Sequence, residues 1–337
     1  MRQRVFFFDL LRCMAAAAVI AIHVLAPYRN ELGEIPFHQW LTAVGVNGLS
    51  RWAVPVFIMI TGALMLSDAR AFDAKYYLQR RLGKVLVPFL VWSLFYAWLS
   101  GWTAAGFDAG VSRQVLENSW HLPAYYHLGF FYYFIPLYLV IPLLYLLVRK
   151  AEQAVLYSVL LIWLLSTALF LFYVDGPLSN QYWLYSGYLL LGYVLYQFVP
   201  LNSRVLTGFV VVGALALAVT VGAVVNDSLA ADEYTVGRWF SYKTLNTALA
   251  ASMIFMLGRY FGGNLSVGVA RVAGFISRHS LGIYLLHPVF LWPMKEFAWH
   301  QGHPVWVVPV WVLISGSGAL AASWLLSRSG KTRWLVP

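Results

Sequence analysis

A chain of 337 residues that is 61% hydrophobic and only 11% charged is not an ordinary soluble domain, in which roughly a quarter of residues are charged to keep the surface in water. Its formal net charge of +10 does not point to nucleic acid, because no polybasic tail, zinc-finger spacing or recognition-helix pattern accompanies it. The single cysteine, Cys13, excludes an intrachain disulfide framework and any cysteine-built zinc site.

The apolar residues come in blocks close to the 20 or so that cross the hydrocarbon core of a bilayer. In chain order ten blocks are read, at 6–26, 44–66, 84–101, 128–148, 154–174, 182–199, 205–225, 243–261, 278–294 and 305–326. The expected fold is all-α: a polytopic integral membrane protein of about ten transmembrane helices, one membrane domain over 1–337 with no soluble domain. The first block is not a removable signal peptide, since it carries Asp9 and Arg12, lacks an A-x-A cleavage pattern and leads straight into further blocks. Many of the 15 Trp and 21 Tyr fall near block ends, where amphipathic rings favour the membrane interface. The longest connections, 27–43, 102–127 and 226–242, are polar, Gly-containing and aromatic.

With the N-terminus inside, sixteen Lys and Arg fall on the inner side and six on the outer. The six are Arg29, Arg51, Arg113, Arg238, Lys243 and Lys295, while the inner set includes Arg2, Arg4, Arg80, Arg81, Lys84, Arg278 and Arg333. The positive-inside rule then places both termini in the cytoplasm. Lys75, Arg80, Arg81 and Lys84 read as a basic inner loop, which serves either as a topology signal or as an attractor for a phosphorylated ligand.

Ionisable side chains inside a bilayer cost roughly 2.5–3.5 kcal/mol on insertion scales, so each needs an account. Arg12 and His23 are eleven residues apart, close to three full turns, and face the same way about 16 Å apart along the helix axis. Asp9 lies three residues before Arg12 and is placed to pair with it. In the second block Arg51 stands at the outer boundary, followed by Pro55 and then Thr61-Gly62, a small pair that allows close helix packing. Further along come His127 and an i,i+3 pair, Tyr284 and His287, ahead of Pro288. No H-x-x-x-H pair or neighbouring carboxylate spacing suggests a metal. There is also no G-x-S-x-G elbow for a serine acyl-enzyme.

Taken together, these segments resemble the membrane acyltransferase 3 family. The elements are Arg12 and His23 ten residues apart in the intervening count, the stretch from Ser50-Arg51 through Val54-Pro55 to Thr61-Gly62, the block Tyr126-His127-Leu128-Gly129-Phe130-Phe131, and Ser280-Leu281-Gly282-Ile283-Tyr284-Leu285-Leu286-His287. Thr61 stands where the family has Ser, and Gly129 where it has Trp. The similarity in these blocks is greatest to the enterobacterial-common-antigen O-acetyltransferase branch.

The resemblance implies transfer of an acetyl or similar acyl group from cytoplasmic acyl-CoA to a hydroxyl of an envelope polysaccharide or lipid-linked glycan. It implies a bacterial inner membrane location, acetyl-CoA as a donor substrate rather than a bound cofactor, and no nucleic-acid partner. His23 is the expected base, an imidazole being suited to proton transfer at neutral pH. Arg12 is expected to hold the donor's phosphate or polarise its thioester carbonyl, with Arg80, Arg81 and Lys84 as further donor contacts. Asp9, Arg51, His127, Tyr284 and His287 are expected to bind the acceptor or support the site. Intramembrane charges would equally suit a glycolipid or solute transporter; the absence of an evident internal repeat counts against that. A catalytically silent membrane anchor is a third class.

Overall fold

The computed structural model describes residues 6–337; Arg2 and Arg4 of the inner charge set lie outside the described residues. The chain is almost wholly helical. In order, the helices are α1 Phe6–Val24, α2 Phe37–Ser50, α3 Ala53–Leu66, α4 Ala74–Tyr77, α5 Gly83–Leu99, α6 Ala109–Asn118, α7 Gly129–Lys150, α8 Gln153–Leu171, α9 Gln181–Gln197, α10 Ser203–Ala231, α11 Leu245–Gly262, α12 Val267–Arg278, α13 Ser280–Glu296 and α14 Pro304–Arg328. The one sheet among the described residues is a two-stranded hairpin, Trp102–Thr103 with Gly106–Phe107.

Among the described residues, seven helical runs are long and apolar enough to cross a membrane: Phe6–Val24, Phe37–Leu66, Ala74–Leu99, Tyr126–Lys150, Gln153–Leu171, Ser203–Ala231 and Pro304–Arg328. They coincide with seven of the ten expected blocks. The other three blocks coincide with α9, α11 and α13, of 17, 18 and 17 residues. These three turn much of their surface to protein: every residue of α9 from Leu184 to Gly192 is buried. A helix enclosed on all sides has no lipid to match in length.

Helix α6 lies within the connection read at 102–127, α2 begins and α10 ends inside those read at 27–43 and 226–242, and two inner stretches differ as well. The expected inner loop over 67–83 is helical from Ala74, because the Asp73 carboxylate accepts the Tyr76 N–H at 3.0 Å and caps the first turn. Tyr77 then anchors that turn by donating its hydroxyl to the Tyr138 carbonyl at 2.6 Å. A five-residue π-helical turn, Leu78–Leu82, joins α4 to α5. The second difference is α12, which occupies a stretch read as loop. Its Ala270, Ala273, Gly274 and Ser277 are buried while Val267, Val269 and Val272 are exposed, the pattern of a helix lying along an interface.

Pro55 explains the break between α2 and α3. It has no N–H for the carbonyl of residue 51, four positions back, and the helix is interrupted at Arg51–Trp52. Beyond the break, α3 crosses α9 at backbone contact. A Cβ on Gly62 would stand 2.0 Å from the Leu189 carbonyl oxygen, and one on Gly192 would stand 2.1 Å from that of Met59. Only glycine permits this approach. Helix α1 runs beside α3 and is enclosed further by α11, α12, α13 and α14, with Leu11, Ala15, Val19 and Val24 buried. The end of the bundle bearing Arg80, Arg259 and Arg328 is termed inner, after the charge bias.

Candidate active site

Helix α1 carries both residues of the Arg12–His23 pair on one unbroken run, so the 1.5 Å rise per residue keeps them about 16 Å apart along one face. Arg12 lines a cavity of about 350 Å³ together with Thr61, Tyr138, Ser277, Arg278 and Tyr284. Phe130, Phe131 and Phe134 of α7 supply much of its apolar wall. Asp9, one turn before Arg12, is buried within α1.

Tyr284 is the hinge between this cavity and the outer cluster. It lines the Arg12 cavity, and its hydroxyl donates to the backbone carbonyl of His127. That bond fixes the short 3₁₀ turn Tyr126–Leu128 against α13. Three imidazoles gather there. The His23 ring centroid lies 5.3 Å from that of His287 in a stacked pair, and His127 meets His287 edge-on at 5.5 Å. Tyr126 packs on the other side of His23 at 4.6 Å. His127 and His287 are fully enclosed, at 2% and 0% exposure, whereas His23 keeps partial access.

The protonation pattern of His287 follows from the backbone. Its Nδ1 stands 2.8 Å from the Tyr284 carbonyl and 3.2 Å from that of Ile283. Carbonyls only accept, so Nδ1 carries the proton. Nε2 is therefore the bare nitrogen, and it is buried with no hydrogen-bond partner. A buried polar atom left without a partner costs on the order of 1–3 kcal/mol, which a substrate proton would relieve. Among the described residues no three His, Cys, Asp or Glu are placed to hold a metal ion.

The inner basic residues fall into two groups. Arg80 and Lys84 line a cavity of about 680 Å³ with Arg278, His279, Arg333 and Trp334. Arg81 faces elsewhere, into a cavity of about 260 Å³ with Asp68, Arg70 and Tyr145, its guanidinium 4.0 Å from the Asp68 carboxylate. Successive residues of a helical turn project in different directions around its axis, which separates these two neighbours. Arg278 and Pro337 belong to the walls of both the large basic cavity and the Arg12 cavity. The protein thus has a run of polar groups from Arg80 and Lys84, past Arg278 and Arg12, to Tyr284 and the imidazoles.

Arg51 lines neither of those two cavities and stands at the α2–α3 break. Its Nη1 donates to the Tyr242 hydroxyl at 3.1 Å, and its guanidinium packs over Phe240 and Tyr242 at 5.2 and 5.3 Å. Its Nε is buried without a partner.

Sequence reasoning passed over Tyr126, Arg278, Arg333 and Lys295 as site residues. Lys295 had a readable signal: His287, Leu291 and Lys295 follow at i, i+4 and i+8 along one face of α13. Its Nζ lies 3.6 Å from the centroid of the Tyr126 ring. No signal pointed to Arg333, whose place depends on the fold of the chain after α14.

No curated protein and no solved structure matches this chain. A family model does: residues 5–328 match the acyltransferase domain of the acyltransferase 3 family, nearly the full chain and both ends of the polar run included. The chain, helical and carrying seven runs able to cross a membrane, belongs to this family of membrane acyltransferases.

Proposed function

We propose that the protein is an acyl-CoA-dependent O-acetyltransferase that moves acetyl from cytoplasmic acetyl-CoA to a hydroxyl of a cell-envelope glycan, as in the enterobacterial-common-antigen branch. The observation that carries this reading is the shared wall of the two cavities at Arg278, which leads from a basic inner chamber to Arg12 and Tyr284, the residue bonded to the imidazole cluster at His127. In this reading α9, α11 and α13 complete ten spans, and both termini lie in the cytoplasm.

The donor's phosphates would sit among Arg80, Lys84, Arg278 and Arg333, planar guanidiniums matching phosphate oxygens in pairs. The pantetheine arm would pass Arg12 into the aromatic cavity and carry the thioester toward Tyr284. At the far end the His23 imidazole takes the proton of the acceptor hydroxyl as its oxygen bonds to the acetyl carbonyl carbon. The C–S bond then breaks, and the departing thiolate of coenzyme A receives the proton. His127 and His287 flank His23 and hold its ring, with Arg51 on the acceptor side.

The test is turnover. Purified protein in lipid nanodiscs, given radiolabelled acetyl-CoA, should release coenzyme A and pass label to an envelope-glycan extract. Protein that binds no acetyl-CoA and turns none over, yet moves labelled glycolipid across a vesicle wall, would make it a transporter instead.

A further inference from the structure

Of the six outer cations, two are matched by carboxylates: Arg113 by Glu117 at 2.7 Å and Arg238 by Asp175 at 2.6 Å. Lys243 packs over Phe170 at 4.6 Å and feels the same Asp175. The remaining three, Arg29, Arg51 and Lys295, have no carboxylate partner among the described residues, and all three are half-buried. They also converge. Arg29 and Lys295 lie within electrostatic reach of each other and of His23. Arg29 and Arg51 both lie within reach of the Tyr234 hydroxyl, which accepts the Asn47 Nδ2–H at 3.0 Å.

The nearby acids are turned to other tasks. Glu296, next to Lys295 in sequence, accepts the backbone N–H of Ala104 at 2.6 Å. Glu31 faces His300 across 3.9 Å. Among the described residues Lys295 meets the face of Tyr126 and no carboxylate, and Arg51 keeps a buried Nε without a partner. Gathering half-buried positive charge without a counter-charge is costly, and it runs against the bias that keeps cations off this side. An anion arriving with the substrate would remove the cost.

We propose that Arg29, Arg51 and Lys295 form an anion subsite at the mouth of the His23 cluster, selecting an acceptor that carries a carboxylate or phosphate beside the hydroxyl to be acylated. This rests on the acyltransferase reading, since it names the acceptor class of that site. The shared chemistry is a pair or trio of anionic oxygens. Two sources supply it: an acidic sugar, or the phosphate that links a glycan to its lipid carrier.

Binding, measured without donor, tests the subsite independently of turnover. Protein in neutral phosphatidylcholine nanodiscs is titrated with a glucuronic-acid disaccharide and its glucose twin, and separately with a long-chain isoprenyl phosphate and the matching isoprenol. At least one anion should bind about tenfold or more tightly than its neutral twin, the worth of one charge-assisted hydrogen bond. The arm that shows it identifies the source. Lys295→Gln and Arg51→Gln should each erase most of that preference, and Lys295→Arg should keep it; thermal unfolding of each variant checks that it is folded. Equal binding of both anions and their twins would overturn the proposal, as would a preference untouched by either Gln variant. Failure of the acyltransferase reading would show differently, as absent acetyl-CoA turnover on the same preparation.

Discussion

Pro288 decides which nitrogen of His287 is bare. In an unbroken helix the amide of residue 288 would donate to the Tyr284 carbonyl, but proline has no amide proton. His287 Nδ1–H donates to that carbonyl instead, at 2.8 Å, and Nε2 is left to face the cluster. Replacing Pro288 with Ala restores a competing donor and loosens the ring. Single-turnover transfer should fall in Pro288→Ala, by less than the roughly 10²-fold loss of a missing general base. An unchanged rate would show that the tautomer of His287 does not matter to transfer.

His23→Gln gives the sharper loss. Glutamine keeps a donor and an acceptor in similar volume but takes no proton, so transfer should drop by about 10²-fold or more. Acetyl-CoA binding should persist, because the inner cavity is about 16 Å away along α1. Calorimetric binding and quenched-flow transfer on one preparation separate the two. Near wild-type transfer would move the base assignment to His287, whose Nε2 is unpartnered.

At Arg12, charge alone should not suffice. Lysine is a point charge on a flexible stem and lacks the planar fork of a guanidinium. Arg12→Lys should therefore stay as impaired in transfer as Arg12→Ala. Full rescue by Lys would reduce Arg12 to a counter-charge for Asp9.

The α3–α9 crossing makes a stability prediction. Gly62→Ala would push a methyl to 2.0 Å from the Leu189 carbonyl oxygen, and the backbone has to part to admit it. Overpacking of this kind costs about 1–3 kcal/mol, occasionally more. A lower midpoint in detergent thermal unfolding is expected for Gly62→Ala, with little change for Gly222→Ala, where a Cβ meets nothing.

One prediction concerns pH. The Arg238 guanidinium holds the exposed Asp175 carboxyl below the usual carboxylate range. Its stabilising effect is thus complete above the unfolded value near 3.9 and fades as pH falls through the lower folded value. Wild type should be slightly more stable than Asp175→Asn above about pH 4, and the two unfolding curves should merge at lower pH. The gap is small because solvent screens an exposed pair; a gap that widened with acidity would contradict the pairing.

Much of this was legible because lipid imposes a plain code. Twenty apolar residues mark a span, and the eleven-residue step from Arg12 to His23 marks one helix face. What escaped was set by tertiary contact. Helix α12 is twelve residues with one exposed apolar edge, too short and too mixed to register as a block. Arg80 and Arg81 look equivalent in sequence, yet they line different cavities. Lys295 shares a face of α13 with His287 by spacing, but only the fold shows Tyr126 beneath it.

The reciprocal glycines of α3 and α9 carry a mechanical consequence. Where two backbones touch, no rotamer change can absorb displacement, and Gly62 with Gly192 rivets the two helices into a single rigid beam. The Arg51 break caps one end of that beam, so Arg51 is held as a fixed post. In the proposed reaction, an opening that lets a bulky acceptor reach His23 would come from the other side, where the turn at Tyr126–Leu128 is held by the Tyr284 hydroxyl and by Tyr126 packing on His23, and where α13 carries two prolines. The three imidazoles stand on that second side, His127 in the turn and His287 on α13, with His23 on α1.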